Sequence, residues 1–294
     1  MWNSYPACTE GPSDETIGFA EIRKMQLNYL DICFDSSLFE CPVHRPVSAL
    51  LQSNGASLLS LRIDGMPKLT PNGLTDWNPH FPVLTDVHIS NIYGNDELDL
   101  PAQREFLRNL FASAPNLKRI VTESSKALNV IPDEQYGLLT HLDFFIGGTE
   151  DETRLLRKIA EKQPALEELK IHAPRVSPDQ HEVGERHAHE VLVVNELQRR
   201  YDCILEQLLN GCHGSVKIIS VDGVFPLGQL SFPPLAHLSE LRITSSFRPS
   251  IEGLWNSIAT IDYSARMPQL RQVSIQVDTL QHVDDGYMER EGAY

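Results

Sequence analysis

The chain has 294 residues, 41% hydrophobic and 22% charged, which marks a globular protein and leaves room for two domains or one elongated repeat array. Its 25 Lys and Arg stand against 40 Asp and Glu, a net charge of −15 that argues against a phosphate-reading or anionic-membrane surface. No apolar run approaches the roughly 18 residues of a membrane span.

Residues 1–18 are polar and hold several Pro and Gly, with no basic stretch followed by an apolar one. They predict a poorly ordered start without a secretory leader. From 19 to 280 one pattern recurs: an apolar residue, two others, an apolar residue, one other, an apolar residue. It is written as Leu27-Leu30-Ile32, Leu58-Leu61-Ile63, Leu84-Val87-Ile89, Leu117-Ile120-Thr122 and Leu139-Leu142-Phe144. It continues as Leu166-Leu169-Ile171, Val216-Ile219-Val221, Leu238-Leu241-Ile243 and Leu270-Val273-Ile275. Successive units start 22 to 33 residues apart, except for 50 between Leu166 and Val216. The second and third places alternate with period 2, so they share one face of a short strand.

Between many of these strands the sequence predicts a helix. Phe106-Leu107-Leu110-Phe111, Leu155-Leu156-Ile159-Ala160, Ile204-Leu205-Leu208-Leu209 and Leu254-Trp255-Ile258-Ala259 each place four apolar groups on one helical stripe. A unit of helix, turn and strand cannot bury its stripe alone, so neighbours must stack. Pro82, Pro115, Pro164 and Pro268 stand two residues before a unit's first leucine and are expected to end the preceding helix. The long interval reads as one repeat with an inserted polar loop over 173–188 and a lengthened helix, or as a degenerate extra repeat. Residues 281–294 form an acidic tail expected to fray.

Motifs of catalysis or metal binding are sparse. "HEVGERHAHE" gathers His181, His187 and His189 with Glu182, Glu185 and Glu190. It lacks the HExxH spacing that sets two His on one helical face, so an exposed loop is expected and no metal. Gly147 and Gly148 follow a strand without the Lys and Ser/Thr of a phosphate loop. Thr149 and Glu152 there suit a helix-capping box. GxSxG is absent. Five cysteines, an odd number with no CxxC, read as reduced thiols of an intracellular protein, cytoplasmic or nuclear. The expectation is a non-enzymatic chain without cofactors.

The cores "LLSLRI", "LEELKI" and "LSELRI" resemble leucine-rich repeats, and the likeness covers roughly residues 20–280. Irregular repeat lengths with helical outer segments are similar to the repeat region of F-box leucine-rich repeat proteins. The resemblance implies an α/β fold: a leucine-rich repeat solenoid, or horseshoe, of about nine irregular repeats. Its parallel sheet would be concave and its convex side helical or irregular. The sequence departs from that family where an Asn or Cys is expected three residues after the last apolar residue of the strand. Met66, Ile92, Ser125, Gly147, Pro174, Val224, Ser246 and Asp278 stand there instead, so no Asn ladder caps the turns. The F-box module is not visible. The resemblance implies substrate reception for an SCF-type ubiquitin ligase, with a Skp1-type adaptor as partner only if an F-box lies outside this chain.

Residues between the core apolars point to the opposite face of each strand. On a concave sheet they would meet a protein partner, and neither nucleic acid nor membrane. The residues singled out for that role are Arg62, His88, Arg119, His141, Asp143, Phe145, Lys170, His172 and Arg242. His141, Phe145, Lys170 and His172 are the central ones, because interface anchors cluster at the middle and favour aromatics.

Overall fold

The computed structural model describes residues 26–33, 44–65, 79–90, 101–146, 150–162, 164–172, 205–222, 232–245 and 262–277. The expected loose termini, the 173–188 loop with the His181–His189 cluster, the Gly147–Thr149 turn and the Leu254–Ala259 stripe lie outside these residues.

Every apolar triplet becomes a strand or its approach. The strands are β1 (Tyr29–Cys33), β2 (Ser60–Asp64), β3 (Asp86–Ser90), β4 (Arg119–Thr122) and β5 (His141–Phe145). They continue as β6 (Glu168–His172), β7 (Ile218–Asp222), β8 (Glu240–Ser245) and β9 (Gln272–Val277). They form one nine-stranded sheet in strict chain order. All neighbours are parallel. The pairing register reproduces the alignment of the sequence units. Leu30, Leu61, Val87, Ile120, Leu142, Leu169, Ile219, Leu241 and Val273 form one row across the sheet. Ile32, Ile63, Ile89, Thr122, Phe144, Ile171, Val221, Ile243 and Ile275 form the next. Because β6 pairs directly with β7, the long interval inserts no strand between them.

Parallel neighbours need crossover connections, and these carry the helices. α1 (His44–Asn54) precedes β2, α2 (Pro101–Ala112) precedes β4, and the single turns α3 (Ser125–Leu128) and α4 (Asp133–Tyr136) precede β5. α5 (Glu150–Glu161) precedes β6, residues 205–212 are helical before β7, and one turn at Tyr263–Arg266 precedes β9. Crossovers of one hand between strands in unbroken order all leave on the same side of the sheet. One face is therefore covered and the other left open.

The covered face is the core. The predicted stripes Phe106-Leu107-Leu110-Phe111, Leu155-Leu156-Ile159 and Leu205-Leu208-Leu209 are buried in one cluster with the two strand rows. Each such side chain contributes about 1.5–3 kcal/mol of burial. The outermost strands are less covered: Ile32 and Ile275 are partly buried and Val273 is exposed. Thr122, the one polar member of its row, is 1% exposed. Its hydroxyl accepts from the Ser124 N–H at 3.1 Å and donates to the Ser124 carbonyl at 3.3 Å, so the polar atom is satisfied locally.

In several units the first leucine closes a turn. The N–H of Leu84, Leu117 and Leu270 donates to the carbonyl three residues back, of Phe81, Ala114 and Met267, at 3.0–3.3 Å. Pro82, Pro115 and Pro268 thus occupy the second turn position, where a fixed φ near −65° is preorganised. α2 has already ended at Ala112, so Pro115 shapes the turn rather than stopping the helix as the sequence suggested. After the turn, one carbonyl accepts from two successive N–H groups of the next unit. Asn28, Leu59, Thr85, Lys118, Thr140, Glu167, Lys217 and Ser239 all do so, at 2.7–3.2 Å. This backbone ladder repeats at every strand entry and leaves no mark on residue type.

Gly65 has φ 80°, a left-handed conformation that ends β2. Its N–H donates to the Ser90 carbonyl on the next strand at 2.9 Å.

Candidate recognition surface

Side chains on the open face fall into three rows by register. The middle row runs Asp31, Arg62, His88, Val121, Asp143, Lys170, Ser220, Arg242 and Ser274. Around β5, β6 and β7 the rows hold the densest set of interactions. All nine residues singled out from the sequence lie on this face, and the structure joins His141, Asp143, Phe145, Lys170 and His172 into one patch. Arg62, His88, Arg119 and Arg242 lie on other strands.

His172 is the hub. Its Nε2 lies 2.9 Å from Asp143 Oδ1 and its Nδ1 lies 3.4 Å from Asp222 Oδ2. A protonated ring donates to both carboxylates. The Phe145 ring, directly opposite in register, stacks on it with centroids 4.6 Å apart and planes at 21°. The hydrogen bond to Asp143 raises the His172 pKa; burial opposes that, and the charge of Asp143 and the contact with Asp222 reinforce it. The outcome is an imidazole above its usual value, and therefore one inclined to carry charge. Phe145 itself is 41% exposed, so the aromatic of the patch faces solvent with the His172 ring against one side.

Next to it, Lys170 donates from Nζ to Glu168 Oε1 at 2.7 Å, while His141 Nε2 stands 3.7 Å from Glu168 Oε2. Burial acts to raise the Glu168 carboxyl, but Lys170, His141 and Arg119 together hold it below the ordinary carboxylate range. His141 Nδ1 is 2.8 Å from Thr140 Oγ1, which fixes the ring plane.

The remaining residues are scattered. Arg242 Nε donates to Glu240 Oε1 at 2.6 Å within β8. Arg119 is exposed between Asp86 and His141. Arg62 is half-buried and its Nε has no hydrogen-bond partner. Beside it, burial first and the Arg62 charge second lower the pKa of His88. Asp222 and Glu168 were not singled out from the sequence, although both sit at outward positions. Aligning the units would have set Asp222 opposite His172.

Among the described residues no group of three or more His, Cys, Asp or Glu is placed to hold a metal ion. No helix among them is long and apolar enough to cross a membrane. What the patch offers is an exposed ring, oriented ions of both signs and hydrogen-bonding groups on a rigid sheet.

Fold and surface together define an α/β chain organised as one open, repeat-like parallel sheet with a charged, aromatic patch at its centre. No protein-family model matches the chain, and no curated protein matches it.

Proposed function

We propose that this chain is a leucine-rich repeat solenoid that acts as a non-enzymatic recognition module, binding a protein partner on the open face of its sheet. The observation that carries the reading is the Phe145–His172 stack, braced by Asp143 and Asp222 at mid-sheet. An exposed aromatic held rigid by neighbours and ringed by polar groups has the character of an interface anchor. Nine units of mostly 22 to 33 residues, stacked in register, support the repeat assignment. The finer reading is the substrate-receiving part of an F-box-type ubiquitin ligase adaptor, and it rests on the resemblance of the repeats.

A second reading is a scaffold with no link to ubiquitin. It is favoured by the way Lys170 and Arg242 already pair with Glu168 and Glu240, which leaves the face partly self-satisfied.

Affinity purification with mass spectrometry tests both, comparing the wild type with Lys170→Glu plus His172→Ala. The recognition reading expects partners that the double variant loses, and the ligase reading expects a Skp1-type adaptor among proteins co-purifying with the full-length gene product. An identical partner set for both forms contradicts recognition through this patch.

A further inference from the structure

On the helical side a cavity of about 440 Å³ opens between α2, α3 and α5. Its lining includes Arg104 and Arg108 from α2, Lys126 from α3, and Arg154 and Lys158 from α5, with Asp151 as the acid among them. This is the opposite sign from the chain as a whole, whose net charge is −15.

The helices bring like charges close together here. Arg104 and Arg108 are four residues apart on one helix, and so are Arg154 and Lys158 on another. Like charges at that spacing repel. The frame is fixed: the Ser125 hydroxyl donates to the buried Glu152 carboxylate at 2.5 Å and ties α3 to α5. Lys158 is held 2.5 Å from Asp133 Oδ1 and lies 5.6 Å from the Tyr136 ring centroid. The two arginines with intrahelical pairs are looser. Arg108 meets Glu105 at 2.6 Å and Arg154 meets Asp151 at 3.5 Å, both exposed. Exposed pairs of that kind contribute little, so both guanidinium groups can turn to an incoming anion at small cost. The lining itself carries these five cations and one acid, Asp151.

We infer that this cavity binds a small molecule or head group bearing clustered phosphates. The planar guanidinium fork matches phosphate oxygens two at a time. The volume lies in the range of small-ligand sites and exceeds what one phosphate fills. The side chain of Leu155 gives the cavity an apolar wall.

Isothermal titration of the full chain with inorganic tripolyphosphate, against sulfate at equal ionic strength, tests this. Saturable one-site binding of tripolyphosphate is expected. Arg108→Ala with Arg154→Ala should weaken it at least about tenfold. Arg108→Lys with Arg154→Lys keeps the charge but loses the fork, and should weaken it less. Lys217→Ala, on the strand-entry side, should leave it unchanged, and thermal melts confirm that each variant is folded. Co-sedimentation with vesicles carrying phosphatidylinositol bisphosphate is run in parallel. Binding to both probes assigns a lipid head group, and binding to tripolyphosphate alone assigns a free anion. Heats no greater than those of sulfate, or binding untouched by the double Ala variant, would overturn the site.

Discussion

The imidazole of His172 and the carboxylate of Asp143 meet at 2.9 Å although they belong to different rows of the sheet face. The register sets Asp143 opposite Lys170 and His172 opposite Phe145 and Asp222. The contact therefore runs along the ladder's diagonal, and it draws two acids from neighbouring strands onto one ring.

That arrangement has a pH dependence of definite sign. The folded-state pKa of His172 lies above that of a free imidazole, about 6.5. Its contribution to stability is full below the unfolded value and is lost as pH rises through the folded one. The stability advantage of the wild type over His172→Gln should thus be full below about pH 6.5 and shrink as pH rises from there through the raised folded-state value. Thermal melts across that range check it, and an advantage that grows with pH would contradict the assignment.

Phe144 and Phe145 are sequence neighbours with opposite fates. Phe144 is fully buried and Phe145 is 41% exposed. Phe144→Ala should cost about 3–5 kcal/mol, whereas Phe145→Ala should cost about 1 kcal/mol or less. Urea denaturation measures both, and the second variant should remain folded while losing its partner.

Gly211 marks a close approach between the helical residues 205–212 and the end of α5. A Cβ built there would stand 2.6 Å from the Cα and carbonyl oxygen of Ala160, which are backbone atoms that cannot rotate away. Gly211→Val should destabilise by about 1–3 kcal/mol through forced separation of the two helices. A shift in the urea midpoint reads this directly, and a neutral result would place the helices further apart than described.

Two cysteines should react very differently. Burial pushes the Cys212 thiol up to about 12, whereas Cys33 is exposed on the edge strand. Under native conditions at neutral pH, maleimide should label Cys33 and spare Cys212. Peptide mapping by mass spectrometry follows both.

Much of this was legible in the sequence. The nine apolar triplets fixed which residues become strands, and their alignment equals the pairing register, because stacked units can bury their leucines only in that frame. The same alternation told which residues face outward. Three kinds of feature were not legible. The strand-entry ladder from Asn28 to Ser239 is made of backbone groups and is blind to side chains. Glu152 read as a helix-capping acid. Its buried bond to Ser125 crosses from α5 to α3, a distance along the chain that local pattern does not span. The basic cavity draws on three helices whose relative placement follows from the core and not from any motif.

The central claim is that the middle of the open face meets a protein. Site-specific photo-crosslinking in cells tests it most directly, with a benzophenone amino acid placed at Phe145 in one form and at the exposed helical residue Glu206 in the other. A discrete adduct from position 145 and none from 206 is the predicted result. An adduct from 206 alone, or from neither position, would contradict recognition through this face.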